Sequence, residues 1–133
     1  MSQENVERLA AGMPPDGTDL TRVFAPGGGF SVAGLVADDA IVRFVTPNAE
    51  LETVGPDGFS GTWADWLEPW ETYTIHYDEV TDQGDVVVAL VRLRGVTKRG
   101  GVEMEQEASG VFKFENGLIV EIEFNLGRED GRD

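Results

Sequence analysis

The sequence contains no cysteine, and its 133 residues include one histidine and ten basic residues against 25 acidic ones. Without cysteine there is no disulfide framework, no thiolate metal site and no cysteine nucleophile. The formal net charge of −15 repels phosphate backbones and anionic lipid surfaces, so we expect neither nucleic acid nor membrane as a partner. The acidic residues are scattered and form no D-x-D-x-D-G loop, so we expect no metal site and interpret the charge as a solubilising surface.

Long apolar runs are also missing. No stretch approaches the roughly 20 apolar residues that cross a bilayer. The N-terminal sequence MSQENVERLA has neither the basic region nor the apolar region of a signal peptide, and we therefore expect a cytoplasmic protein. Hydrophobic residues nevertheless make up 41 % of the chain, enough at this length for one domain over residues 1–133 with its own core.

The N-terminal third of the chain predicts little regular structure. Residues 2–12 are predicted to form a short helix that begins at a cap, Ser2, and ends at a glycine followed by two prolines. Residues 14–39 contain prolines and three consecutive glycines, so we predict an irregular segment there. Within it only residues 19–24 and 31–37 have a helical pattern.

A third helix is predicted around the stretch that holds all three tryptophans, GTWADWLEPWETY. It begins at Asp57 or Ser60 and ends near Pro69, because proline cannot continue a helix. Four large side chains fall at positions i, i+3, i+4 and i+7 of one face: Trp63, Trp66, Leu67 and Trp70. Each large aromatic side chain buries about 150–250 Å², so we expect this face mainly to hold the helix on the sheet and its inner edge to line a pocket.

The rest of the chain alternates with the period of two that is typical of strands. Residues 40–46 predict one strand and residues 51–54 a short second one. Four long strands follow, separated by short turns with glycine: 72–80, 86–98, 102–114 and 118–126. Short turns make consecutive strands antiparallel neighbours. The sequence therefore predicts an α+β fold with helices packed on one face of a curved sheet.

Side-chain alternation also predicts which row of each long strand faces the helices, because unpaired charge is rarely buried. The predicted inward rows are Tyr73, Ile75 and Tyr77; Val87, Ala89, Val91 and Leu93; Met104, Gln106, Ala108, Gly110, Phe112 and Phe114; and Leu118, Val120, Ile122, Phe124 and Leu126. His76 and Asp78 are predicted to point outward. The outward row of residues 86–98 begins with valine and leucine, which suits a contact between two copies of the chain.

Several segments together resemble bacterial SnoaL-like proteins of the nuclear-transport-factor-2-like superfamily: MSQENVE, GPDGF…WADWLEPWETY, DQGDVVVALVRLRG, GVEMEQ and VFKFENGLIVEIEFNL. The resemblance covers the first ten residues and residues 40–128. It implies a cone-shaped α+β fold, in which a strongly curved, mainly antiparallel sheet wraps around N-terminal helices and leaves a cavity open at one end. It also implies a homodimer through the sheet. Members include polyketide cyclases, a ketosteroid isomerase and limonene epoxide hydrolase, so the fold does not select a chemistry.

The positions that carry acid–base residues in those relatives are apolar or empty here. The resemblance places an Arg and an Asp of the epoxide hydrolase type at Val91 and Leu93, their partner Asp at Phe124, and a histidine found in other relatives at Gly110. Our leading hypothesis is therefore a cavity that binds a small apolar molecule, with no cofactor and no catalysis. The predicted ligand-binding residues are Trp63, Trp66, Trp70, Tyr73, Tyr77, Val91, Gln106, Phe112 and Phe124.

Two alternatives remain open at this point. The first is an enzyme of isomerase or cyclase type acting on a polyketide-, steroid- or terpene-like substrate. In such an enzyme Tyr73 or Tyr77 polarises a carbonyl group, and Asp38, Asp39 or His76 moves the proton. The second is a non-catalytic structural or dimerisation module whose cavity is filled by its own side chains.

Overall fold

The protein is described by a computed structural model that covers residues 3–24, 32, 34–46 and 49–126. Three helices precede or interrupt the strands: α1 at Gln3–Gly12, α2 at Leu20–Val23 and α3 at Gly55–Leu67. The strands are β1 at Thr18–Asp19, β2 at Val36–Thr46, β3 at Ala49–Val54, β4 at Trp70–Gln83, β5 at Val86–Thr97, β6 at Glu103–Glu115 and β7 at Leu118–Leu126. None of the described helices is long and apolar enough to cross a membrane.

The strands form one curved, unclosed sheet in the order β1-β4-β5-β6-β7-β2-β3. All neighbours are antiparallel except β2 and β7, which run parallel. The predicted meander of four long strands is therefore confirmed, and the chain before it supplies both edges of the sheet. The inward rows of β4 to β7 pack with the helices into one apolar core, which confirms the α+β fold class.

Asp19 fastens α2 to the sheet. Its carboxylate accepts hydrogen bonds from the backbone N–H of Thr21 at 3.1 Å and from the backbone N–H of Tyr73 in β4 at 3.0 Å. Partial burial acts to raise the pKa of Asp19, but these hydrogen bonds and the charge of Arg22 outweigh it and hold the pKa below its usual value. The predicted helix at residues 19–24 is thus present, with Asp19 as its N-cap.

The prediction of a helix over residues 31–37 is wrong at its C-terminal end, because β2 already begins at Val36. Among the described residues one turn precedes the strand: the backbone N–H groups of Leu35 and Val36 both donate to the carbonyl of Val32 at 2.9 Å. Val36 then pairs with Ile119 in the parallel β2–β7 ladder, so a long-range pairing decides the structure. Residues 31 and 33 lie outside the described residues, as does the predicted cap Ser2.

The tryptophan helix α3 begins earlier than the predicted Asp57 or Ser60 and ends within two residues of Pro69, as predicted. It starts at Gly55 with Pro56 in its first turn, where a missing N–H costs no hydrogen bond. It ends at Leu67, so Trp70 is the first residue of β4 and does not belong to the helical face. The reason is Pro69, whose ring and missing N–H stop the helix before it reaches that tryptophan.

The predicted inward row of β7 holds only at its C-terminal end. Ile122 is fully buried, but Leu118 is 38 % exposed, and Ile119, which does not belong to the predicted row, is fully buried. The ladder with β6 shifts between Lys113 and Phe114. Between these two pairs β7 has one residue more than β6. This β-bulge exchanges the inward and outward faces in the part of β7 that precedes it. In β6, Met104 belongs to the predicted inward row but is exposed at the end of the strand.

Candidate functional site

A cavity of about 290 Å³ lies between the helices and the concave face of the sheet. This volume is at the lower end of the range of pockets that hold small molecules, which is about 300–1,000 Å³. The helices and the segment after α1 contribute Val6, Leu9, Ala10, Met13, Pro14, Pro15, Asp16, Leu20, Phe24, Phe59 and Trp63. The sheet contributes Ile75, Tyr77, Val80, Ala89, Val91, Phe112 and Phe124.

The inner end of the cavity is a cluster of aromatic rings. Trp63 stacks on Phe24 with ring centroids 5.8 Å apart and meets Phe124 edge to face at 5.4 Å. Phe124 in turn contacts Phe59 at 6.2 Å and Phe112 at 5.6 Å. All five side chains are buried. Rings that fix each other in this way form a rigid apolar wall.

The mouth of the cavity lies where its lining residues are exposed. These residues are Ala10 in α1, Pro15 and Asp16 in the segment between α1 and β1, and Val80 near the end of β4. The segment from Met13 to Asp16 thus passes along the opening. The exposed end of the cavity is therefore beside this segment, and the buried aromatic cluster lies at the other end.

Tyr77 holds that segment in place. Its hydroxyl group donates a hydrogen bond to the carbonyl oxygen of Pro14 at 2.6 Å, and its backbone N–H donates to Asp16 Oδ1 at 2.7 Å. Burial, reinforced by the negative charge of Asp16, raises the pKa of Tyr77 to about 12. The phenol therefore stays protonated at neutral pH and uses its proton in a structural hydrogen bond.

Asp16 is the only charged residue among the described residues that line the cavity. Its side chain is 63 % exposed, and its Oδ2 lies 3.9 Å from Nδ1 of His76. Sequence reasoning missed it because it belongs to the segment predicted to be irregular. A signal was present in the sequence Pro-Pro-Asp-Gly, a turn pattern. Gly17 has a positive φ of 84°, and its N–H donates to the Ile75 carbonyl at 2.7 Å, which brings the turn onto β4.

Five of the nine predicted ligand-binding residues line the cavity: Trp63, Tyr77, Val91, Phe112 and Phe124. The other four, Trp66, Trp70, Tyr73 and Gln106, lie outside it in a second cluster. There the hydroxyl group of Tyr73 donates to Gln106 Oε1 at 3.0 Å, and the rings of Trp66 and Trp70 lie 6.4 and 4.9 Å from the Tyr73 ring. Burial raises the pKa of Tyr73 to about 12, although the neighbouring Trp66 indole opposes the rise.

The second cluster is packed because Tyr73 pairs with Gly95 in β5. The missing side chain leaves a space that the Trp70 and Tyr73 rings fill, so that a Cβ atom at Gly95 would lie 2.5 Å from the Trp70 ring. Tyr73 shares the inward row with Tyr77, as alternation predicts, but this packing occupies the space in front of it. Alternation gives the face of a residue and not the position of the cavity along the strand.

The candidate proton carriers lie outside the cavity. Asp38 and Asp39 are exposed residues of β2. His76 points outward as predicted, with a side chain that is 37 % exposed. Among the described residues, no group of three or more His, Asp or Glu side chains is placed to hold a metal ion. The aromatic part of the cavity therefore offers shape and apolar surface, and a carboxylate is present only at the mouth.

Comparisons with known proteins bear on the fold and the family. Residues 16–122 match the family described as the SnoaL-like domain. A protein of Jannaschia sp. CCS1, provisionally named a SnoaL-like polyketide cyclase, is 18 % identical over 94 % of this chain and 86 % of its own, with a TM-score of 0.67. An NTF2-like protein of Burkholderia thailandensis E264 is 24 % identical over 71 % of this chain and 75 % of its own, with a TM-score of 0.64.

A third structure is a protein of Catenulispora acidiphila DSM 44928 with a ketosteroid isomerase-like fold, solved in complex with trimethylamine. It is 15 % identical over 93 % of this chain and 85 % of its own, with a TM-score of 0.63. Likeness at these identities shows the fold alone. A search of the curated proteins found no match to the sequence.

The family match runs from Asp16 at the mouth of the cavity to Ile122 in β7, so it includes most of the sheet and two of the three described helices. The solved structures share the same arrangement of helices in a curved, unclosed sheet. The predicted resemblance and the predicted cone-shaped α+β fold are both confirmed. The chain belongs to the SnoaL-like domain family, and its fold is that of nuclear-transport-factor-2-like proteins.

Proposed function

We propose that this chain binds a small, mainly apolar organic molecule in the cavity and does not convert it chemically. The observation that carries the proposal is the composition of the cavity wall. Of the described lining residues, all are apolar or aromatic except Asp16 at the mouth. Tyr77 contributes a hydroxyl group whose proton is already donated to Pro14. Pockets of this kind obtain affinity from apolar burial and orientation from a few polar groups.

The volume favours a compact ligand. An engineered apolar cavity of about 150 Å³ accepts benzene, and this cavity, at about 290 Å³, has roughly twice that volume. One or two fused rings, or an alkyl chain of similar volume, therefore fit inside. A small organic ligand is also recorded for the Catenulispora relative, which was solved with trimethylamine.

The absence of conversion is proposed from the positions of the acid–base groups. General acid–base catalysis needs a side chain within hydrogen-bond reach of the reacting proton. His76, Asp38 and Asp39 do not line the cavity, and Asp16 is largely solvated. An isomerase or cyclase reaction at the aromatic end of the cavity would therefore have no proton carrier among the described residues.

Binding is tested with a panel of compact terpenes, bicyclic aromatics and medium-chain alcohols, measured by thermal shift and by calorimetry. A panel member that fills the cavity raises the melting temperature in proportion to its occupancy. We expect Val91→Phe to abolish this shift, because Val91 lines the cavity and the larger ring occupies it. The matched control is Val96→Phe, on the outward face of the same strand, which retains binding.

Two results would contradict the proposal. If no panel member stabilises the wild-type protein, or if Val91→Phe binds as well as Val96→Phe, the cavity is not a binding site. If a bound compound is converted, as seen by mass spectrometry of the recovered ligand, the non-catalytic part is wrong. The two parts of the proposal therefore fail separately.

We further propose that a second copy of the chain covers the convex face of the sheet. Leu90 is 41 % exposed there, next to the half-buried pair of Val88 in β5 and Val111 in β6. Arg92, next to Leu90 in the outward row of β5, is already paired within the chain, 2.9 Å from Asp78 and 3.6 Å from Glu105. An exposed apolar patch is a common feature of an interface between identical chains.

The expected result is a wild-type dimer that Leu90→Arg converts to a monomer, measured by sedimentation equilibrium over a range of concentrations. Val102→Arg is the control, because it adds the same charge at an exposed residue in the turn before β6 and leaves the dimer intact. A wild-type monomer at all concentrations, or a dimer that survives Leu90→Arg, would exclude this face as the interface.

A further inference from the structure

We infer that Asp16 makes the cavity selective for amphiphiles whose polar head is a cation, such as a primary ammonium group on an apolar tail. The inference rests on the proposed function and specifies its ligand class. It follows from three features of the mouth: where the Asp16 carboxylate stands, which of its oxygens is free to accept, and how the charge of the whole chain acts on a ligand head.

The carboxylate stands at the boundary between water and the apolar wall. Asp16 lines the cavity, yet its side chain is 63 % exposed. When the tail of a ligand reaches the aromatic cluster, its polar head lies at the mouth of the cavity, beside the segment from Met13 to Asp16. The head then keeps part of its hydration shell, so that pairing with the carboxylate does not carry the full desolvation cost of a buried charge.

The two oxygens of the carboxylate have different roles. Oδ1 accepts the backbone N–H of Tyr77 at 2.7 Å, which fixes the direction of the side chain. The nearest basic side chain to Oδ2 among its described contacts is His76, whose Nδ1 is 3.9 Å away, too far for a hydrogen bond. Because a carboxylate accepts up to about four hydrogen bonds, Oδ2 is oriented and still able to accept from a ligand.

The charge of the chain acts in the same direction. A net charge of −15 raises the local concentration of cations and lowers that of anions at the protein surface. The net charge favours cations everywhere on the surface, whereas Asp16 favours them at the mouth of the cavity. A carboxylate-headed ligand of the same length is repelled by both effects, and an alcohol can donate a hydrogen bond to the carboxylate but has no charge to pair with it.

The test compares three probes with one tail: n-octylammonium, 1-octanol and octanoate, with affinities from calorimetry at fixed ionic strength. We expect the wild-type protein to bind octylammonium about fivefold more tightly than octanol, as for a solvated ion pair of about 1 kcal/mol, and octanoate most weakly. In Asp16→Asn the preference for octylammonium is expected to fall from fivefold to the small remainder that the net charge of the chain still gives. The asparagine Oδ1 still accepts the Tyr77 N–H, so the turn is retained.

Asp65→Asn is the charge control. Asp65 is an exposed residue of α3 outside the cavity lining, and its replacement changes the net charge by the same amount while keeping the fivefold preference. Val91→Phe identifies nonspecific adsorption, since it blocks the cavity at unchanged surface charge. Octylammonium binding that survives Val91→Phe would overturn the inference.

The remaining outcomes separate the inference from the proposed function. Equal affinities for octylammonium and octanol in the wild-type protein, both lost in Val91→Phe, would disprove the cation preference and leave the apolar binding site standing. A fivefold preference that persists undiminished in Asp16→Asn would assign it to another group. Failure of all three probes to show binding that depends on Val91 would overturn the proposed function itself.

Discussion

Replacing Trp63 by alanine is expected to lower the free energy of unfolding by about 3–5 kcal/mol, the usual cost of removing a buried tryptophan. The indole is 3 % exposed and contacts three phenylalanine rings, with centroids 5.8 Å away in Phe24, 5.2 Å in Phe44 and 5.4 Å in Phe124. These rings come from α2, β2 and β7, so the substitution removes the contact that joins three separate parts of the chain. Urea unfolding followed by circular dichroism measures the loss.

The matched control is Trp66→Ala, the same substitution one turn later in the same helix. Trp66 is only half-buried, and its closest ring contact is with Tyr73 at 6.4 Å. We expect a loss of about 1–2 kcal/mol, in the ordinary range for a partly buried residue. Equal losses for the two variants would mean that the aromatic cluster around Trp63 does not hold the helix on the sheet.

The two tryptophans also show how much the helical spacing in the sequence could predict. Spacing by three and four residues placed Trp63 and Trp66 on the packed face of α3, and the structure agrees. It could not tell which tryptophan borders the cavity, because that depends on Phe44 and Phe124, far away in the sequence. Trp70 was assigned to the helix by spacing alone, although Pro69 excludes it.

Alternation predicted the sheet well where the ladder is regular. All four inward residues of β5, from Val87 to Leu93, are buried as predicted. In β7 the prediction holds from Ile122 onward and reverses before it, because one extra residue shifts the register against β6. A bulge has no local signature in this strand, so the outward position of Leu118 could not be found from the sequence.

The cavity mouth was the part least accessible to sequence reasoning. Asp16 is the charged residue of the site, yet nothing in its neighbourhood repeats with the period of a helix or strand. Its position follows from two hydrogen bonds to β4, one from the Tyr77 backbone and one from Gly17 to Ile75. Both partners lie about 60 residues away, so a local pattern predicts the turn but not what the turn faces.

Gly55→Ala is expected to destabilise the protein by on the order of 3 kcal/mol, because two separate costs add at this residue. Gly55 has a φ of +78°, which an alanine adopts only with strain of about 1–2 kcal/mol. A Cβ atom there would also lie 2.6 Å from the backbone oxygen of Asp38 in β2. A backbone carbonyl within a strand cannot rotate away as a side chain can, so the start of α3 must move away from the sheet.

Gly61→Ala in the same helix is expected to have the opposite sign. Gly61 is exposed, and a Cβ atom added there would have no other heavy atom within 4 Å. Alanine therefore stabilises the helix by about 0.5–1 kcal/mol through its higher helix propensity. Thermal and denaturant unfolding of both variants under one set of conditions measures the pair. A neutral Gly55→Ala would mean that β2 does not fix the entry of α3, whereas a large loss together with a stabilising Gly61→Ala locates the constraint at this junction.

Since α3 carries Phe59 and Trp63 into the cavity wall, displacement at Gly55 should also weaken binding of the octyl probes, while Gly61→Ala leaves it unchanged.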